Sequence, residues 1–165
     1  KVVASHDVEI SQRRVETDAE VSFALRFTSP RLGFGRFVYD ARFVDRYRNF
    51  FNQNVALDGT NRLRGYATNA AIGASWIASN LEFRTRPVQI FSTQLAAVVF
   101  QDIGAAFFEF DELQLKQGVG FGIRFLAPQL DRDVFRFDVG FPMPLDTPGG
   151  DVSFVASFGQ AFSVP

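Results

Sequence analysis

The sequence of 165 residues contains no cysteine, one histidine (His6), one tryptophan (Trp76) and one methionine. Without cysteine there are no disulfides, thiol nucleophiles or Cys-ligated metals, and a single histidine removes most histidine-based catalysis. Excess charge is missing as well: 17 Lys+Arg stand against 18 Asp+Glu, a formal net charge of -1, so the electrostatic footprint of a nucleic-acid binder is absent. No apolar run approaches the ~18 residues of a membrane-spanning helix. What the chain does have is phenylalanine, 21 residues of it against 3 tyrosines, at a mean hydropathy of +0.02. Near-neutral hydropathy is compatible with a membrane β-barrel, whose strands alternate lipid-facing and lumen-facing residues. The deciding signal is therefore periodicity.

Period-two alternation runs through the chain. From Arg14 to Thr28 the odd positions carry Val15, Val21, Phe23, Leu25 and Phe27, and the even positions Arg14, Glu16, Asp18, Glu20 and Arg26. After the turn at Ser29 to Gly33, Phe37, Tyr39, Ala41 and Phe43 oppose Arg36, Asp40, Arg42 and Arg46, so the two segments predict a hairpin. Phe51, Val55 and Leu57 against Asn52, Asn54 and Asp58 predict a third strand, followed by a long loop from Gly59 to Gly73. Ile77, Leu81 and Phe83 predict a fourth strand, and Phe91 to Ile103 a fifth. Val119 to Phe125 opposite Gly118, Gly120, Gly122 and Arg124, then Phe135 to Phe141 opposite Arg136, Asp138 and Gly140, predict two more, and Phe154 to Phe162 the last. The expected fold is all-β, an antiparallel up-and-down barrel of about eight strands in one domain spanning the chain.

Two assignments of inside and outside follow from this pattern. In a soluble ligand-binding barrel the apolar row points inward. In a transmembrane barrel it faces lipid, and the charged row, with both signs and small glycines, fills a narrow interior. The near-uniform Phe, Val, Leu and Ile of the apolar row favours the second arrangement, with Arg36, Asp40, Arg42, Arg124, Arg136 and Asp138 in the barrel interior.

Several ordered motifs resemble those of the BamA/TamA outer-membrane barrel superfamily, the bacterial surface antigen family, from about Phe37 to Phe162. Leu63-Arg64-Gly65-Tyr66 is similar to that family's V-R-G-F/Y motif in a long extracellular loop, with Leu in place of Val or Ile. Glu82 in Asn80-Leu81-Glu82-Phe83-Arg84 matches an inward glutamate, and Phe100-Gln101-Asp102-Ile103-Gly104 an F-x-D-x-G motif. Gly120 to Arg124, Pro128 and Phe135 to Pro142 follow in family order, and Phe154, Phe158, Gly159 and Phe162 resemble the C-terminal insertion signal. The resemblance implies an integral protein of the bacterial outer membrane, inserted by the barrel-assembly machinery. Residues 1–13 would then be periplasmic, both termini would lie on that side, and 59–73 would be extracellular. It also implies a structural latch of Arg64, Gly65, Tyr66, Glu82 and Asp102. Larger family members have about twice as many strands and carry periplasmic client-binding domains, so the resemblance covers only the C-terminal half of such a barrel.

The latch also has a reading apart from the family. Glu82 and Asp102 alternate onto the charged faces of neighbouring strands, and a loop folded back over them lets the Arg64 guanidinium bridge both carboxylates. The alternative is a solvated loop arginine and two unrelated carboxylates.

Polar residues interrupt the apolar row at Gln53, Ser75, Ser79, Thr93 and Gln101, in the third to fifth strands, which marks this sector either as a homo-oligomer interface or as residues at headgroup depth or on a fifth strand in another register. A ring built in that way would enclose or organise lipid. Tyr39, Tyr47 and Trp76 are expected in interfacial aromatic girdles.

Other motifs are expected to be inert. Gly118-x-Gly120-x-Gly122 alternates within a strand with no following helix, so it makes interior space and does not bind phosphate. His6 beside Asp7 lacks a nucleophile to partner. Asp111/Glu112 and Asp131/Asp133 are turn carboxylates, with no metal or other cofactor expected. The sequence thus predicts a non-enzymatic outer-membrane barrel whose partners are lipid, copies of itself and the insertion machinery. The alternatives are a pore or translocation component and a soluble barrel with an apolar ligand.

Overall fold

The computed structural model describes residues 19–47, 49, 51–60, 62–126, 134–148 and 150–158. His6, Asp7, Asp131, Asp133, Gly159 and Phe162 lie outside these residues, as do Pro128 and the first five positions of the expected first strand. The strands are β1 (Ala19–Thr28), β2 (Gly35–Tyr47), β3 (Val55–Leu57), β4 (Ala71–Gly73), β5 (Ser75–Thr85), β6 (Val88–Ile90), β7 (Thr93–Phe107), β8 (Lys116–Leu126), β9 (Val134–Met143) and β10 (Ser153–Phe158). The only helical element among the described residues is a single 3-10 turn, Phe110–Glu112.

One antiparallel sheet runs β1-β2-β5-β7-β8-β9-β10, with the short β6 also on β7 and a separate pair β3-β4. The expected third strand is therefore not part of the wall. Its ladder is confined to Val55–Leu57, paired with Ala71–Gly73 at the neck of the long loop. The place it would take is filled, because β2 pairs directly with β5, as in Asp40 opposite Asn80 and Phe43 opposite Ile77. Seven long strands remain, and β1 and β10 are each paired on one side only among the described residues, so no closed barrel is formed by them. An odd count also separates the ends of the described wall: β1 begins at the long-loop end and β10 finishes at the opposite, short-turn end.

Period two fixes which side chains share a face, and here the faces are chemically opposite. The convex face carries Phe23, Phe37, Leu81, Val99, Phe121, Phe137, Phe154 and Phe158, all exposed, the last two by 77% and 75%. The concave face carries Asp40, Asn80, Glu82, Asp102 and Asp138, all buried. The long loop folds into this concavity. Leu57, Leu63 and Tyr66 from the loop and its neck pack against Val44, Trp76 and Ala78 of the sheet and form the apolar core. Trp76 is thus an interior residue, with the guanidiniums of Arg42 and Arg62 each 5.8 Å from its ring centroid, and does not belong to an outer girdle. Tyr39 lies on the outer face and Tyr47 is exposed at the end of β2.

Candidate functional site

Strand register stacks the inward residues into rungs across the sheet. One rung aligns Arg26, Asp40, Asn80, Asp102 and Gly118. The next towards the short turns aligns Val38, Glu82, Phe100, Gly120 and Gly140. A third aligns Arg36, Arg84, Val98, Gly122 and Asp138. Each rung holds a carboxylate, and the three carboxylates Asp102, Glu82 and Asp138 converge on one loop residue.

That residue is Arg64, 2% exposed. Its Nε and Nη2 donate to the two carboxylate oxygens of Asp102 at 2.6 and 2.7 Å, a bidentate pair. Nη1 donates to Glu82 at 3.0 Å and to Asp138 at 2.8 Å. The Arg64 backbone N–H adds a bond of 3.1 Å to Asp102, and the guanidinium lies 3.4 Å from the Phe100 ring centroid. Burial alone pulls the Arg64 pKa down, but the hydrogen bonds and charge of Asp102, with the charges of Glu82 and Asp138, raise it above the ordinary value, so the group stays cationic. Glu82 further binds Arg84, and Asp138 binds Arg124 and Arg136. Asn80 donates to the Arg62 carbonyl and to Asp102, both at 2.8 Å, and so ties the loop to the same rung.

The glycines make the latch sterically feasible. A Cβ on Gly118 would meet the Arg64 carbonyl oxygen, and one on Gly140 would meet the Gly65 nitrogen and Arg64. Gly65 itself has a φ of +95° and its backbone lies against that of Phe141, a conformation and an approach that a side chain would obstruct. Its N–H donates to the Ser153 hydroxyl at 2.7 Å. Tyr66, 1% exposed, donates its hydroxyl proton to the Gln117 carbonyl and accepts from the Gln117 N–H. The Gly118-x-Gly120-x-Gly122 series therefore clears interior space.

All five expected latch residues meet in the concavity, and the structure adds Asp138, which the sequence places in the interior but not on Arg64. Its inward parity is legible; its distance from Arg64 depends on the register of four strands. Phe100 was likewise missed as the surface beneath the guanidinium. Asp40 binds Arg26 at 3.0 Å and Arg62 at 2.6 Å. Arg124 and Arg136 are ion-paired as expected, whereas Arg36 has no carboxylate partner among the described residues and Arg42 lies over Trp76.

The five-residue interface sector is not continuous. Gln53 lies in the loop, with its carbonyl accepting from Arg46 and Asn49. Ser75 is buried and donates to Asp45 at 2.6 Å, Ser79 is bonded to the Tyr39 hydroxyl at 3.2 Å, and Thr93 closes a tight turn by donating to Ile90. Only Gln101 stays at mid-wall, half-buried between Leu81 and Val119. The polar groups in β2, β5 and the turn before β7 satisfy one another within the chain, which removes the reason for reading them as a contact surface. Phe154 and Phe158 of the expected insertion signal project from the convex face of β10.

Comparison with protein-family models, with curated proteins and with solved structures returns no match. No cluster of His, Cys, Asp and Glu suited to a metal ion occurs among the described residues. What the cluster can do is hold a loop inside a curved sheet.

Proposed function

We propose that this chain is a non-enzymatic integral β-sheet wall of the bacterial outer membrane, similar to the C-terminal half of a BamA/TamA-type barrel, with an architectural role. One observation carries the reading: the exposed face of the sheet is the apolar one, while the buried face is charged and ion-paired. Water would favour the reverse, because burying a charge is costly unless it is paired and exposing a row of phenylalanines forfeits its burial. Hydrocarbon around the convex face removes that conflict. A soluble carrier of an apolar ligand needs an apolar concavity, and the arginines and carboxylates lining this one argue against it.

The edges of β1 and β10 support assembly. Backbone groups left unpaired in hydrocarbon are strongly disfavoured, so both edges require cover, from the residues outside the described ones or from another chain. In the proposed function, copies of the chain associate in the membrane, enclosing or organising lipid between them, after insertion by the barrel-assembly machinery. The same edges favour a second reading, a segment of a larger pore or translocation barrel completed by a partner.

Membrane fractionation followed by mass determination in mild detergent tests the proposal. Extraction only by detergent, at a mass of several chains, is the expected result. A chain that stays in aqueous solution without detergent would overturn the membrane assignment, and a detergent-bound mass of one chain would overturn the assembly. Conductance in planar bilayers would favour the pore reading, and silence would count against it.

A further inference from the structure

The short-turn end of the concavity holds a cavity of about 590 Å³, whose lining includes Arg26, Arg31, Arg36, Arg84, Arg86 and Arg124 and, among the described residues, no carboxylate. Six arginines facing one space form an unusual arrangement, because like charges directly opposite one another in a sheet are destabilising. Two such pairs occur here: Arg36 is the direct cross-strand neighbour of Arg84, and Arg124 of Arg136. Neighbouring carboxylates relieve part of this. Arg26 binds Asp40, Arg84 binds Glu82, and Arg124 binds Asp138. These same three carboxylates also serve Arg62, Arg64 and Arg136, so the excess of positive charge remains. Arg31, Arg36 and Arg86 have no carboxylate partner among the described residues.

We infer that this cavity is a binding site for a phosphate-bearing anion. Guanidinium groups match phosphate oxygens with paired N–H donors, and several of them converging from β1, β2, β5, β8 and the adjoining turns surround a multiply charged group as a single arginine cannot. The volume falls in the range of small-molecule sites and admits a phosphate with an attached organic group. Among the described residues the rest of the lining is small or apolar, including Val38, Val98 and Pro87, apart from the hydroxyls of Thr28 and Thr85. The source of the phosphate is either a soluble phosphorylated molecule entering from the short-turn side or a phospholipid headgroup reaching in from a leaflet. The inference concerns the interior of the sheet and does not rest on membrane insertion.

The test uses the full chain in a neutral maltoside detergent, titrated calorimetrically with pyrophosphate, and in parallel presented with phosphatidylglycerol or phosphatidylcholine in mixed micelles for native mass spectrometry. Saturable pyrophosphate binding, weakened at least about tenfold, or about 1.4 kcal/mol, in Arg36→Ser/Arg86→Ser, is the expected result for a soluble source. Retention of phosphatidylglycerol over phosphatidylcholine, lost in the same variant, without pyrophosphate binding assigns the site to a headgroup. Arg42→Ser removes an equally inward arginine outside the cavity and should leave either binding unchanged. Should the double variant fail to fold, Arg31→Ser in the exposed β1-β2 turn carries the comparison, together with a rise in the thermal midpoint of the unmodified chain on adding pyrophosphate. No saturable binding of either probe overturns the inference, as does equal loss in Arg42→Ser. Binding that emerges only in Asp131→Asn/Asp133→Asn overturns it too, since the turn carboxylates would then already fill the cavity.

Discussion

Arg64 and Arg36 both enter the same concavity, a few residues' breadth apart, and meet opposite surroundings. Arg64 comes from a loop and finds three carboxylates on three successive rungs, with an aromatic ring beneath it. Arg36 comes from a strand and finds Arg84 directly across. Among the described residues, the carboxylates of Asp102, Glu82 and Asp138 are spread over three successive rungs and are all paired, whereas Arg31, Arg36 and Arg86 at the short-turn end have no carboxylate partner. The difference teaches that an inward arginine in this fold has no single meaning: the first is held by charge it neutralises, the second stands where charge is left over. A curved sheet that merely filled its interior with ion pairs would distribute both signs evenly, and the described residues of this one do not.

The comparison is broken most severely at Arg64. Arg64→Ala leaves Asp102 and Glu82 buried without their shared partner, and loss of one member of a buried ion pair costs about 3–5 kcal/mol. Denaturant unfolding should show that loss, with Arg64→Lys intermediate because charge is kept and the bidentate geometry is not. A stability unchanged in Arg64→Ala would mean that the loop is not latched. Phe121→Arg probes the other face of the same wall: under the proposed membrane role an arginine there would face lipid and disfavour insertion by about 2–4 kcal/mol, so the folded fraction in lipid vesicles should fall, while a chain that folds in water would tolerate it. Gly118→Val forces a side chain against the Arg64 carbonyl, an overpacking that costs about 1–3 kcal/mol. Its signature is faster proteolytic cleavage within 58–70 while the rest of the sheet stays protected. Arg36→Ser is expected to act in the reverse direction, stabilising the anion-free chain by about 0.2–1 kcal/mol through relief of the repulsion with Arg84. Equal destabilisation by Arg36→Ser and Arg64→Ala would erase the distinction between the two ends.

Much of the sheet is legible in the sequence because a two-residue period needs no knowledge of neighbours. Phe37, Tyr39, Ala41 and Phe43 share a face whatever strand lies beside them, and Gly118, Gly120 and Gly122 oppose Val119, Phe121 and Ile123 in the same way. The segment at Phe51 to Leu57 shows where that reasoning fails. Its alternation is real, but three residues of ladder suffice for a loop neck, and membership of the wall is decided by which strand β2 can reach. Ser75 and Ser79 fail for a related cause: a polar side chain on an apolar face is an unpartnered group only until Asp45 and the Tyr39 hydroxyl are seen beside it. The latch was partly legible, through Arg64, Glu82 and Asp102, whereas Asp138 joins only by the alignment of β5, β7, β8 and β9.

Composition and alternation by themselves determined that the chain is all-β, that it lacks the side chains of thiol and most histidine chemistry, and that several of the long strands have one apolar face opposite one carrying charges and glycines. These are properties of residue type and the pleat, both local. Only the tertiary structure decided that the charged faces turn inward, that three rungs deliver carboxylates to one loop arginine, and that six arginines surround a cavity whose described lining holds no acid. Those outcomes depend on register and curvature, which arise from pairing between strands far apart in the chain and which no local pattern encodes.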